Sequence, residues 1–350
     1  MPNEARPHTP HGAERPTLLV LYAIASLVVL FVFLVRPGMT GHHRADFPDL
    51  VYGTAHKPYV SRALVPLAVR GITVVTPEPV RAAVWRSLVG RNYVEAVGWY
   101  DDFLFQFAVA TALMLACLVG FAWTLKRLSE SVYDLPPVVH NLGPLGTLVV
   151  LPLFFRYYSY PYDPATLLLF ALCALWLIRG RFVWFLAGVA LASANKETSI
   201  LLIPLFVLHA RQRGRGIPVA RALAVIGVWA AVRGALMWVY RDNPGAIVEN
   251  HFVEHTVWLV TKFPPAMRYT LVVALLFFLP LRDRWGDKPV FLRAGLGVTL
   301  APLVVAGSVF GFADELRGYY EAFPFLYLLA LPSLARWLGG RDRRLSGATS

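Results

Sequence analysis

Charge is scarce in this 350-residue chain: 15% of residues are Asp, Glu, Lys or Arg, 57% are hydrophobic, and the mean hydropathy is +0.54. A soluble domain carries about 25% charged residues, so this sequence cannot clothe a water-facing surface. Cysteine is nearly absent. Cys117 and Cys173 both fall inside apolar segments, which excludes a disulfide framework and any cysteine metal spacing and leaves them as small buried hydrophobes. Lysine is also rare, with 5 of the 33 basic residues. No small-residue cleavage site follows the first apolar block, and that block is too long for a signal-peptide core, so it reads as an uncleaved first helix.

The apolar residues come in blocks of about twenty, the length that crosses a hydrocarbon core of ~30 Å. The expected fold is all-α: a polytopic transmembrane bundle of about ten helices. Expected spans are 17–35, 103–125, 142–155, 165–178, 182–194, 199–209, 219–239, 269–281, 290–310 and 320–335. Between the first two, 61–75 and 80–97 have helical spacing but carry Arg62, Arg70, Arg81, Arg86, Arg91 and Glu95, and read as amphipathic helices at the interface. The stretch 240–268 reads as a polar loop. Residues 1–16 form a polar, disordered cytoplasmic leader, 17–338 the membrane domain and 339–350 a basic cytoplasmic tail.

The net charge of +12 does not indicate nucleic acid, because most arginines sit at the ends of apolar blocks. With the N-terminus inside, those ends all fall on the cytoplasmic face, while 36–101, 156–164, the turn at 196, 240–268 and 311–319 fall outside. Both termini are then cytoplasmic. The excess of arginine over lysine, with abundant Ala, Val and Pro, fits a GC-rich bacterial genome and hence a bacterial plasma membrane.

Unusual polar residues gather on the outward side. Asp46 and Asp49 follow the first helix; they are surface charge, or a general base whose pKa the membrane face tunes. His42 and His43 lie beside them without a convincing metal spacing. In Tyr157–Pro164, the tyrosines, Tyr160 among them, fit an aromatic belt, and Asp163 fits an N-cap with Pro164 at the first helical position. Asn195-Lys196-Glu197-Thr198 interrupts an apolar run and is either a polar hairpin tip or a cation placed to meet a lipid phosphate. His251 sits in a loop with Glu249, Asn250, Glu254 and His255, and Glu315 and Arg317 in another with Asp314. Arg233, inside a span, must face a carboxylate or water within the bundle.

In order and placement these features resemble the GT-C superfamily of membrane glycosyltransferases, which use polyprenyl-phosphate-linked sugars. Asp46-Phe47-Pro48-Asp49-Leu50-Val51-Tyr52 is similar to its acidic motif after helix one. Gly188…Asn195-Lys196-Glu197-Thr198…Pro204 is similar to its lysine-bearing turn, and Glu315-x-Arg317-x-x-Tyr320…Pro324 to a late external motif. Lys57-Pro58-Tyr59-Val60-Ser61-Arg62 matches no pattern of that group, and no sizeable outer domain follows the last helix. The resemblance implies an inverting transferase without an organic cofactor and leaves its metal requirement open. Asp46 or Asp49 would be the base, and Lys196, helped by Arg62 or Arg317, would neutralise the departing phosphate. Glu197, Asp163, Tyr160, His251 and Glu315 would complete the substrate contacts. The implied partners are a lipid-linked sugar donor, a glycan, lipid or protein acceptor, and membrane lipids. A transporter or flippase of a lipid-linked saccharide, or a polysaccharide polymerase or ligase of another fold, is the alternative. Transport is disfavoured by the absence of an inverted repeat and by polar residues collected on one face.

Overall fold

The computed structural model describes residues 14–339 except 37, 156, 213, 215, 249, 263–266 and 313. The expected leader, apart from residues 14–16, and the expected basic tail from 340 onward lie outside the described residues, as do Arg213, Arg215 and Glu249. Among the described residues every regular element is helical. In chain order these are α1 (Glu14–Val35), α2 (Phe47–Tyr52), α3 (Leu64–Val75), α4 (Glu78–Leu88), α5 (Asn92–Ala96), α6 (Leu104–Val132), α7 (Pro137–Val150) and α8 (Asp163–Ile178). They continue as α9 (Phe182–Asn195), α10 (Leu202–Gln212), α11 (Val219–Val239), α12 (Phe252–Lys262), α13 (Arg268–Arg282), α14 (Val290–Phe310) and α15 (Phe323–Trp337).

Five stretches are helical, long and apolar enough to cross a membrane: Arg15–Val35, Asp101–Val132, Pro137–Phe154, Val219–Val239 and Val290–Phe310. Leu64–Val75, Asp163–Ile178 and Phe182–Asn195 are apolar but shorter. Much of the outer surface of the helices is apolar. Val20, Ile24, Leu27, Val28 and Phe31 of α1, and Leu271, Val272, Leu275 and Leu276 of α13, are all exposed. Faces of this size need a hydrocarbon solvent.

α8 is the central helix. It is apolar on all sides, with twelve of its sixteen residues buried and the rest half-buried, as expected of a helix surrounded by others. α9 approaches it closely because Gly188 has no side chain: a Cβ there would lie 2.7 Å from Cys173 Sγ. Gly295 does the same for α14 against Phe325 of α15, at 2.5 Å. Small residues let membrane helices approach in this way.

Hydropathy misplaced several boundaries. α6 runs past its apolar block to Val132, because Lys126 and Arg127 pair with Glu130, four and three residues on respectively, and extend the helix. α7 starts at Pro137, earlier than the expected 142, since proline suits a first helical turn. The expected polar loop 240–268 contains α12, whose Glu254, His255 and Lys262 dilute its hydropathy. Within the first loop, α4 stops at Leu88, and Gly90 then adopts φ +67°, a left-handed conformation that favours glycine and ends the helix.

The five segments expected on one side meet at one end of the bundle. Ser159 N–H donates to Gly38 O (3.3 Å), Ala63 N–H to Ala194 O at the foot of the turn at 196 (2.9 Å), Lys57 N–H to Pro244 O (2.8 Å) and Tyr157 Oη to Asp314 Oδ2 (2.5 Å). Helix ends rich in arginine meet at the other end, where Arg179 donates to Ser131 Oγ (3.1 Å) and Arg336 pairs with Asp283.

Candidate functional site

The loop end holds a buried lattice of charge. α9 breaks at Lys196, which leaves helical geometry at φ −160° and ψ 144°, and a 3-10 turn over Glu197–Leu201 leads into α10. The break presents Lys196 and Glu197 in different directions. Glu197 receives two bonds from Arg62 of the first loop, Nε to Oε2 at 3.1 Å and Nη2 to Oε1 at 2.5 Å. Arg62 also donates to Tyr162 Oη (2.7 Å). Lys196 Nζ lies 2.8 Å from Glu321 Oε1, and Thr198 Oγ1 donates to the same carboxylate.

A second branch centres on Arg317, which pairs with Glu315 and with Asp163 Oδ2 (3.7 Å) and stacks on the Tyr160 ring at 4.4 Å. Tyr160 stacks on Tyr162 (5.1 Å) and lies against Tyr59 (5.5 Å), and its hydroxyl is 3.4 Å from His42 Nδ1. The tyrosines therefore do more than mark an interface: they form a stack that carries two guanidinium groups. Burial alone would raise the carboxyl pKa values of Glu197 and Glu315, but the guanidinium of Arg62 on the first and of Arg317 on the second holds them below the ordinary range. Both arginines are correspondingly held even more firmly charged.

Asp163 is not an N-cap. Tyr162 occupies that position, and Asp163 is the first helical residue; its Oδ2 turns back to accept from Tyr160 N–H at 3.1 Å and faces Arg317. Arg233 is buried as expected, yet its hydrogen bonds go to Ser61 O (3.0 Å), Ser193 O (3.2 Å) and Ser61 Oγ (2.9 Å) rather than to a carboxylate. It clamps the loop before α3 to the end of α9, beside Glu197, whose charge acts on it.

Asp46 and Asp49 share this end but stand apart from the lattice. Asp46 precedes α2, and its Oδ1 accepts from Tyr100 Oη at 3.2 Å. Burial raises its carboxyl pKa above the ordinary aspartate value, against the lowering effect of the Tyr100 hydrogen bond. Asp49 Oδ1 accepts from Thr54 Oγ1 (2.7 Å). Beside this loop a cavity of about 280 Å³ opens between α3, α4 and α6, with Trp85, Glu78, Asp102 and Gln106 in its wall. Gln106 donates to Tyr52 Oη (3.0 Å) and Trp85 Nε1 to Asp101 O (3.0 Å). His251 lies further off: its Nδ1 is 2.9 Å from Glu254 Oε2 and its ring stacks on Phe312.

The residue that sequence reading missed is Glu321, fully buried at 0% exposure and the counter-charge of Lys196. An acid two residues before α15, inside the apolar run Tyr319–Tyr327, was the available signal. Asn195 joins the lattice through its Nδ2, which donates to Tyr162 O (3.0 Å), and four buried polar atoms here have no hydrogen-bond partner among the described residues: Asp163 Oδ1, Asn195 Oδ1, Glu321 Oε2 and Arg317 Nε. Buried polar atoms are normally satisfied, so this group has capacity for water or a polar ligand. Among the described residues no set of His, Cys, Asp or Glu is arranged to hold a metal ion.

Comparison with known proteins gives no match: no family model, curated protein or solved structure is similar to the chain.

Proposed function

We propose that this chain is a membrane glycosyltransferase that moves a sugar from a polyprenyl-phosphate donor to an acceptor at the loop end of the bundle, which faces outward from a bacterial plasma membrane. In this reading about ten membrane crossings, some by short helices, bring the loops together on one side. The observation that carries the proposal is the convergence of Arg62, Lys196 and Arg317, from three distant segments, at the same end as Asp46 and Asp49.

Donor phosphate meets the N–H groups that the lattice leaves over. Lys196 has three donors and Arg317 has five, and Arg317 Nε is one of the unsatisfied atoms. The paired carboxylates hold these cations in place and keep the site near neutrality, so the phosphate product is not trapped. The acceptor hydroxyl attacks the sugar carbon as its proton passes to the Asp46 carboxylate. The bond from that carbon to the phosphate oxygen breaks, and polyprenyl phosphate leaves with the electron pair. Stabilising the charge that builds up on the leaving phosphate contributes more to the rate of such chemistry than any other single effect. The cavity by Trp85 offers the acceptor a ring to stack on and carboxylates to bind hydroxyls.

The test is transfer from a labelled polyprenyl-phosphate sugar in membranes containing the chain. Asp46→Asn is expected to lower the rate at least ~100-fold, the usual share of a general base, with donor binding retained. Lys196→Ala is expected to weaken both donor binding and rate. Unchanged transfer in Asp46→Asn removes this residue as the base. Movement of an intact lipid-linked sugar across the bilayer without hydrolysis or transfer would make the chain a flippase.

A further inference from the structure

A second polar cavity, of about 240 Å³, lies at the opposite end of the bundle between α1, α6 and α7. Arg15, Lys126, Arg127, Trp123, Asn141 and Glu130 line it. Three cations face one carboxylate, so the cavity carries a net positive charge. Lys126 and Arg127 both lie over the Trp123 ring, at 5.9 and 5.8 Å, and both bond to Glu130. These contacts hold the two cations in place and leave further N–H groups on each for an anion.

Position decides what kind of anion. Lys126 lies 22 residues beyond Leu104 on α6, about 33 Å along the helix at 1.5 Å per residue. That is one hydrocarbon thickness from the loop end, so the cavity sits at headgroup level on the other side. The surface beside it is apolar: Leu19 and Val20 of α1 and Val138 and Leu142 of α7 are exposed. A phosphate seated on Lys126 and Arg127 would have hydrocarbon along both walls. We propose that this cavity binds the phosphate headgroup of an anionic phospholipid in the leaflet facing the arginine-rich end. The site is independent of the transferase reading, since it shares no residue with the loop-end lattice.

Native mass spectrometry of the purified full-length chain, titrated with phosphatidylglycerol, phosphatidylcholine or inorganic phosphate, tests this. Phosphatidylglycerol is expected to bind about tenfold more tightly than phosphatidylcholine, and Lys126→Gln/Arg127→Gln to abolish the difference, in line with the contribution of basic residues near an anionic headgroup. Glu130→Gln removes the competing acid and is expected to tighten phosphatidylglycerol binding by about threefold on the same basis; it decides the matter if the double variant fails to fold. Equal binding of the two lipids, or a preference that survives in the double variant, overturns the proposal. So does an unchanged affinity in Glu130→Gln. Inorganic phosphate that displaces phosphatidylglycerol and itself binds equally tightly overturns the assignment to a lipid and leaves a soluble phosphate as ligand.

Discussion

The two ends of the bundle use the same charged residue types in different ways. At the loop end the partners are far apart in sequence: Arg62 and Glu197 are 135 positions apart, and Thr198 reaches across 123 to Glu321. The Lys196–Glu321 pair is withdrawn from solvent, at 10% and 0% side-chain exposure, while Arg62 at 11% and Arg317 at 14% reach carboxylates, Glu197 at 36% and Glu315 at 25%, that are half-exposed. At the arginine-rich end, Lys126 and Arg127 share Glu130 within one helical turn, with side chains 14–42% exposed. Arg336 on Asp283 is a longer-range pair there. Local pairs extend a helix and are worth a few tenths of a kcal/mol, whereas long-range buried pairs specify which segments must meet. Lys196 or Glu321 without its partner is stranded in a low dielectric; Arg127 at the other end turns to water or headgroups.

The strongest test of this contrast is Glu321→Ala, which leaves Lys196 buried without its counter-charge. A loss of about 3–5 kcal/mol is expected, as for other broken buried pairs, read as thermal unfolding in detergent. A loss near zero would mean that water already solvates Lys196.

A double-mutant cycle on Arg62 and Glu197 should give an intermediate effect, a coupling of about 0.5–3 kcal/mol at neutral pH. The pair also has a definite pH dependence. The folded-state pKa of Glu197 is depressed, because Arg62 outweighs the effect of burial. Its contribution is therefore complete above the unfolded glutamate value of about 4.3 and is lost as pH falls through the lower folded value. Coupling that grows on acidification would contradict the assignment. At the opposite end, Glu130→Gln should cost only about 0.2–1 kcal/mol, the range of exposed pairs. A loss as large as that of Glu321→Ala would erase the distinction between the ends.

Much of this arrangement was legible in the sequence, and what was not has physical causes. Apolar blocks and arginine placement divided the loops into two groups, and the five segments assigned to one side do meet. Lys196 and Glu197 stood out because ions interrupting an apolar run are rare. Their partners did not: nothing local links Glu197 to Arg62, and Glu321 hides among aromatic and aliphatic neighbours. Arg233 was legible as an interior residue, but two of its three bonds go to the backbone carbonyls of Ser61 and Ser193, which every residue possesses, and the third to the Ser61 hydroxyl, 172 positions away in sequence. The helix α12 escaped because a short amphipathic segment has the composition of a loop. Asp163 was assigned to a cap from its position before Pro164, and tertiary contact with Arg317 gave it another geometry.

The pairing of Glu321 with Lys196 bears on biosynthesis. A ribosome delivers the chain from its N-terminus, so Asp163 and Lys196 reach the membrane well before Arg317 and Glu321 are made. During that interval two ionisable side chains must be hydrated, held by the insertion machinery, or kept neutral, because lipid tolerates none of them alone. The last helix closes the lattice only when it arrives. Nascent chains halted before residue 315 should therefore be more exposed to quality-control proteolysis than chains halted after 337, even where their earlier helices are fully inserted.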